Sequence, residues 1–288
     1  MPMETEEGRT AETCGQSEAG ACDTPAPGTA VVTVTYNSAD ALRRFAAVVD
    51  AGRYEWIVVD NGSRDESVQI ARSLGATVIE SSRNLGFSAA NNIGARSTTA
   101  SCLVFANPDV AWRGSDVARL ASIALTRQAI VAPQLLNADG TLQENGRGLP
   151  YLHRKLLHRA FGKGLGASRY LRFARMGELL PVSWVIGAAL VIPRAVFDDI
   201  GGWDDRYFIY YEDAELCLRA WRRGVPVYVD GDARWIHGWG RATTSFRWEP
   251  WKHEFRSAAR FYATFPELLL GLPPRPTLRA AVPASRLA

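Results

Sequence analysis

Two carboxylates stand where strand-like apolar runs end: Asp60 closes WIVVD, and Asp109 follows CLVFANP. Such a group can accept hydrogen bonds from a base or a ribose hydroxyl, or hold a divalent cation against a diphosphate. Each could equally cap its own turn, as Asx side chains commonly do. Glu212, Asp213 and Glu215 form a third acidic group, directly after a stretch holding Trp203, Tyr207, Phe208, Tyr210 and Tyr211. Acids suit the dipole of a helix start, and aromatic rings beside them either stack on a sugar or pack in a core. His237, in WIHGW, is either a metal ligand or a satisfied structural residue.

These groups need elements to hold them. Strand-length apolar runs at 30–36, 56–60, 76–80 and 101–106 alternate with helical patterns at 40–49, 65–74, 87–95 and 115–125. Continuous β-branched runs buried on both faces and separated by helices predict a parallel sheet, the nucleotide-binding half of an α/β fold. Ser38 or Asp40 and Ser63 or Asp65 are candidate N-caps, and Gly52 and Gly75 sit where helices should stop. Further strands are expected at 129–133, 184–193, 226–230 and 233–237, with a helix at 212–223. In parallel sheets ligands lie beyond the carboxyl ends of the strands, so Thr35-Tyr36-Asn37, Asp60-Asn61-Gly62-Ser63 and Asn107-Pro108-Asp109 are the places to seek function.

Taken in order, VTVTYNS, IVVDNGSRD, NLGFSAANNIG, FANPDV, IYYEDAELCLR and WIHGWG resemble glycosyltransferase family 2, especially its rhamnosyltransferase-like branch. The resemblance spans 30–265. It implies the GT-A nucleotide-sugar-binding fold, with a Rossmann-like, mostly parallel central sheet flanked by helices. It also implies an inverting transfer of a sugar, rhamnose among the candidates, from a dTDP-, UDP- or GDP-linked donor to an acceptor hydroxyl. Thr35, Tyr36, Asn37, Asp60, Asn84, Gly86 and Asn107 match positions lining the nucleotide, and Gly187 and Ala188 match those near the donor sugar. Asp109 matches the last acid of the DxD metal motif, whose first acid is here Asn107, and His237 matches the histidine completing that site for Mg2+ or Mn2+. Asp213 matches the catalytic base. Glu212, Glu215, Trp203 and Tyr211 are candidate acceptor contacts, with Glu215 standing where EDxD would place its final acid. The processive QxxRW signature is missing, so one sugar per encounter is expected.

Composition narrows the alternatives. The chain has 288 residues, 47% of them hydrophobic, with a net charge of +3, which suits a globular enzyme and argues against a nucleic-acid partner. Six carboxylates against Arg9 make 1–28 an acidic segment too polar to bury a core, expected to be a disordered tail. Subtracting its −5 leaves about +8 on the remainder. The catalytic domain is expected at 29–270, divided near 135 into nucleotide and acceptor halves, with a Pro-rich tail at 271–288. Four cysteines without CxxC spacing fit a reducing cytosol, and neither a membrane-spanning run nor a signal peptide is evident. The segment 151–177 carries seven Lys or Arg and no acid. With a helix bearing Phe255, Ala258, Tyr262 and Phe265, it could make peripheral contact with the inner face of a membrane, unless that helix simply faces the core. A catalytically inactive nucleotide-sugar-binding protein is the rival reading. A nucleotidyltransferase and an NAD dehydrogenase lack their glycine signatures.

Overall fold

The computed structural model describes residues 28–45, 54–153, 170–238 and 248–275. The acidic segment, most of the basic one, Gly52, and the tail from 276 onward lie outside these.

The first half is built as its patterning predicts. Strands β1 (Thr29–Thr35), β2 (Glu55–Asp60), β3 (Thr77–Glu80) and β4 (Cys102–Ala106) alternate with helices α1 (Ala39–Phe45), α2 (Ser67–Ser73) and α3 (Phe87–Arg96). They run parallel in the order β3-β2-β1-β4. β1, β2 and β4 are buried on both faces, which is why their sequences read as unbroken apolar runs. Gly75, at φ +87°, terminates α2 as expected. Asp65 accepts from the backbone N–H of Ser67 at 3.0 Å and from that of Ala39 at 3.0 Å, so one carboxylate serves two helix starts.

The second half departs from a uniform parallel pattern. β5 (Val110–Ala111), α4 (Gly114–Arg127), β6 (Ile130–Leu136), β7 (Gly146–Arg147), β8 (Leu171–Arg172) and β9 (Leu179–Val182) follow. The run expected as one strand at 184–193 is two, β10 (Trp184–Val185) and β11 (Ala189–Pro193). β11 inserts antiparallel between β4 and β6, while β10 joins β7 and β8 in a small separate sheet. The break between them falls on Ile186-Gly187-Ala188. Helices α5 (Arg194–Ile200) and α6 (Glu212–Arg222) come next. The two strands expected at 226–230 and 233–237 are one, β12 (Val227–His237), with a register shift between Asp230 and Arg234. Gly231 lies in that irregularity, where a Cβ would stand 1.7 Å from the Arg175 carbonyl oxygen. Arg119 of α4 pins it, donating to Asp230 at 2.6 and 3.2 Å and to Asp232 at 2.8 Å. Beyond it, β12 pairs antiparallel with β5, setting His237 opposite Val110.

The last helix, α7 (Trp248–Thr264), leads into a 3-10 turn at Pro266–Leu270. Its buried face carries Ser257, Phe261 and Tyr262 and continues to Phe265, whereas Phe255 is 61% exposed. The face expected through Phe255 is therefore displaced, because α7 packs over the loop before α6. Ser257 donates to the Ile209 carbonyl at 2.8 Å, and the Tyr211 ring lies 5.1 Å from Phe261.

Candidate active site

The nucleotide-side residues gather at the carboxyl ends of β1 and β2. Thr35 is buried and donates to Asp60 Oδ1 at 3.0 Å, while Oδ2 accepts from the N–H groups of Gly62 at 3.2 Å and Ser63 at 2.9 Å. Asp60 thus caps its own turn in addition to any ligand role. Tyr36 is half exposed, and Asn37, at φ +51°, accepts from the Arg64 N–H at 2.8 Å.

Asn61 holds the NLG turn against β2. Its side chain donates to Asn84 Oδ1 at 2.9 Å and to the Gly86 carbonyl at 3.2 Å, and accepts from the Leu85 N–H at 2.8 Å. Sequence reasoning marked Asn61 only as part of the polar strand end 60–63 and gave it no task of its own. Gly86 was expected to admit a ligand to its backbone. Its φ of +90° and the 2.7 Å from a would-be Cβ to the Phe208 carbonyl oxygen give a different reason. That carbonyl accepts from the Phe87 N–H at 2.7 Å, so the turn is docked on the loop that carries the acids.

Asp213 lies in the first turn of α6 and is presented by two consecutive left-handed residues, Tyr210 (φ +70°) and Tyr211 (φ +68°). Non-glycine residues hold that conformation only where their surroundings enforce it, and such strain gathers at functional sites. Asp213 Oδ2 accepts from the Gly187 N–H at 3.1 Å, and Oδ1 from the Ala214 N–H at 2.7 Å. A Cβ on Gly187 would meet the Phe87 ring at 3.3 Å and the Asp213 Cβ at 3.5 Å. The next residue, Ala188, accepts from the Asn107 N–H at 2.8 Å. A short backbone bridge, Gly187-Ala188, therefore joins the candidate base to the Asn107-Pro108-Asp109 turn.

Asp109 Oδ1 and His237 Nε2 stand 3.4 Å apart. His237 Nδ1 lies 2.6 Å from Gln143 Oε1, and Gln143 Nε2 donates to Asn137 Oδ1 at 3.0 Å and to the His237 carbonyl at 3.1 Å. That pattern makes Oε1 the acceptor and puts the ring proton on Nδ1, turning the Nε2 lone pair toward Asp109. A lone pair facing a carboxylate, with its tautomer fixed from behind, fits a divalent cation between them. Among the described residues no group of three or more His, Cys, Asp and Glu could hold a metal, so a bound diphosphate would have to complete the set. Gln143 was not anticipated, and nothing in the sequence marks it.

The residues expected as acceptor contacts have different surroundings. Trp203 is 2% exposed, edge-on to Phe87 at 5.4 Å and Phe105 at 5.3 Å, so its ring supports the site from within the core. Asn92 clasps its backbone, accepting from the N–H at 3.0 Å and donating to the carbonyl at 2.8 Å. Glu215 is bound by Arg219 at 2.7 Å through both oxygens, and Arg219 also donates to the Ile200 and Gly202 carbonyls. The carboxylate that departs from the EDxD pattern is thus a structural anchor. Tyr211 packs on Phe261 and Tyr262. Glu212 is fully buried, and that burial, reinforced by neighbouring Asp213, pushes its carboxyl well above the usual range.

The model of Glycosyl transferase family 2 matches residues 30–185. An N-acetylglucosaminyl-diphospho-decaprenol L-rhamnosyltransferase of Mycobacterium tuberculosis is 30% identical over 222 residues, covering 69% of this chain and 72% of the relative. The low-salt glycan biosynthesis hexosyltransferase Agl10 of Haloferax volcanii is 27% identical, over 68% of this chain and 62% of its own length. Among solved structures, GalNAc-T7 with UDP, GalNAc and Mn2+ superposes with a TM-score of 0.58 at 18% identity. The match covers 84% of this chain and about half of GalNAc-T7, 51%. S. aureus TarS in complex with UDP gives 0.50 at 15% identity, over 84% of this chain and 69% of that one. At these identities the structures speak for the fold, a GT-A arrangement.

Proposed function

Since the chain belongs to glycosyl transferase family 2 and is a glycosyltransferase, we propose that it moves rhamnose from a nucleoside diphosphate to a hydroxyl of a lipid-linked glycan, with inversion. The rhamnose and the polyprenyl diphosphate carrier are taken from the mycobacterial relative's named activity. The observation that carries the reading is the Gly187-Ala188 bridge, whose two backbone hydrogen bonds tie Asp213 to the turn bearing Asp109.

In this reading the nucleotide lies over Tyr36 and Asn37. Its diphosphate lies toward Asp109 Oδ1 and His237 Nε2, which would hold Mg2+ or Mn2+. A cation there would neutralise charge building on the leaving diphosphate. Asp213, kept in place by the Gly187 and Ala214 N–H groups, takes the proton of the acceptor hydroxyl as its oxygen bonds to the anomeric carbon. The bond from that carbon to the diphosphate oxygen breaks with its electron pair, and attack from the opposite face inverts the centre. Gly187, without a side chain, lets its backbone pass close to Phe87 and Asp213, where a Cβ would meet the Phe87 ring at 3.3 Å.

Labelled dTDP-, UDP- and GDP-linked sugars, offered with a polyprenyl-diphosphate N-acetylglucosamine acceptor, test the proposal. Transfer from one nucleotide class, lost on chelation and giving the inverted anomer, is expected. Donor binding with neither transfer nor donor hydrolysis under any condition would favour the catalytically inactive binding protein. The described residues hold no helix long and apolar enough to cross a membrane.

A further inference from the structure

Large apolar side chains come to the surface between Phe255 and Leu272. Phe255 on α7 is 61% exposed, Leu270 in the turn that follows is 77% exposed, and Leu269 and Leu272 are about half exposed. A single exposed leucine is ordinary on a protein surface, whereas several so close together mark a face that meets something. Helical spacing gives α7 two faces. Ser257, Phe261 and Tyr262 are buried, while Lys252, Phe255, Arg256, Ala259 and Ala263, three or four positions apart along one stripe, are exposed. No acid is among the exposed positions from Trp251 to Thr264.

Both elements are fastened from within, so the exposed side chains stand on a fixed surface. Ser257 and Phe261 of α7 hold the loop before α6. In the turn Leu268 is buried, and Arg222 of α6 donates to the Thr264 carbonyl at 3.3 Å and to Glu267 at 2.7 Å, which neutralises the acid of the turn. The turn also abuts the start of the basic segment. A Cβ on Gly271 would stand 3.4 Å from His153 Cε1, and 151–177 carries seven Lys or Arg and no acid. We propose that the outer face of α7 and the leucine turn are the surface by which this protein rests on a bilayer of anionic lipid. Phe255, Leu269, Leu270 and Leu272 enter the boundary of the acyl chains, and Lys252 and Arg256 stay level with the phosphates. A purely apolar partner would leave those two cations without a counterpart, whereas anionic headgroups supply one across the whole face.

The inference stands apart from the transfer reaction, because binding is read with neither donor nor acceptor present. The full chain is to be floated with vesicles of phosphatidylcholine alone and with vesicles containing about one-third phosphatidylglycerol. Binding to the anionic vesicles, weakened by salt, with little binding to the neutral ones, is expected. Phe255→Ser combined with Leu269→Ser and Leu270→Ser should lower that binding about tenfold or more, and Lys252→Gln with Arg256→Gln about tenfold. Both variants should keep the wild-type Tm, since every substituted side chain is exposed. A wild type that binds neither kind of vesicle would overturn the inference. So would a folded apolar variant that binds anionic vesicles as well as the wild type, which would leave the lipid contact to the basic segment alone. A wild-type dimer that the apolar variant dissociates would likewise overturn it, making this face a contact between two copies of the chain.

Discussion

Gly86 and Gln143 show how single residues set this site through their neighbours. At Gly86 a side chain meets both a left-handed backbone and the Phe208 carbonyl at 2.7 Å. Gly86→Ala should cost about 1–3 kcal/mol, read as a Tm lowered by several degrees, and should loosen the loop behind Asp213. Gln143 fixes the His237 tautomer from behind, at 2.6 Å. Gln143→Leu is expected to weaken manganese-dependent donor binding about 10–100-fold in calorimetry while nucleotide binding without metal changes little. Equal manganese affinity in the variant would show that the tautomer is irrelevant. At this scale the sequence singled out Asp109 and Asp213 as candidates because each stands in a recognisable motif. It was silent where a common residue acts through its neighbours. Asn61, Asn92 and Gln143 look like any polar residue until the chain that each one holds is brought to it by the fold.

Among the elements, β12 decides whether Asp109 and His237 meet. Its irregularity at Asp230–Arg234 redirects the strand so that its end pairs with β5 and His237 meets Asp109. The Asp230 side chain is buried and satisfied by Arg119, whose own side chain is 47% exposed, so solvent screens part of the interaction. Arg119→Ala should lower stability by about 1–3 kcal/mol and reduce the manganese increment in donor binding, although Arg119 lies on α4. An unchanged increment would mean that β12 holds its path without the clasp. The alternation of strands and helices through β4 was legible because strands buried on both faces have a pattern of their own. Direction and interruption were not. An antiparallel β11 is as apolar as a parallel strand would be, and the small residues at Gly187-Ala188 read as a continuation of the run. For α7, the buried face keeps the expected Tyr262 and Phe265, but packing over the loop from 206 to 211 takes in Ser257 and Phe261 and leaves Phe255 out.

The molecule as a whole sets two halves of different construction against each other. A parallel sheet is fixed by its own pattern, and a mixed second half carries the acids in the first turn of α6, behind a strained loop braced by α7. They meet along β4 and β11, and the candidate site lies along that seam. The family resemblance was readable because its motifs fall at the strand ends lining the seam, while the bracing depends on contacts far apart in sequence. The account's central claim is that Asp213 removes the acceptor proton while Asp109 and His237 attend to the diphosphate. Asp213→Asn keeps the volume and removes the basicity, so kcat measured beside donor affinity tests the claim most directly. The account predicts a kcat lowered by about 100-fold or more, with donor affinity and its manganese dependence intact. An Asp213→Asn enzyme that transfers sugar at a rate near wild type would contradict it.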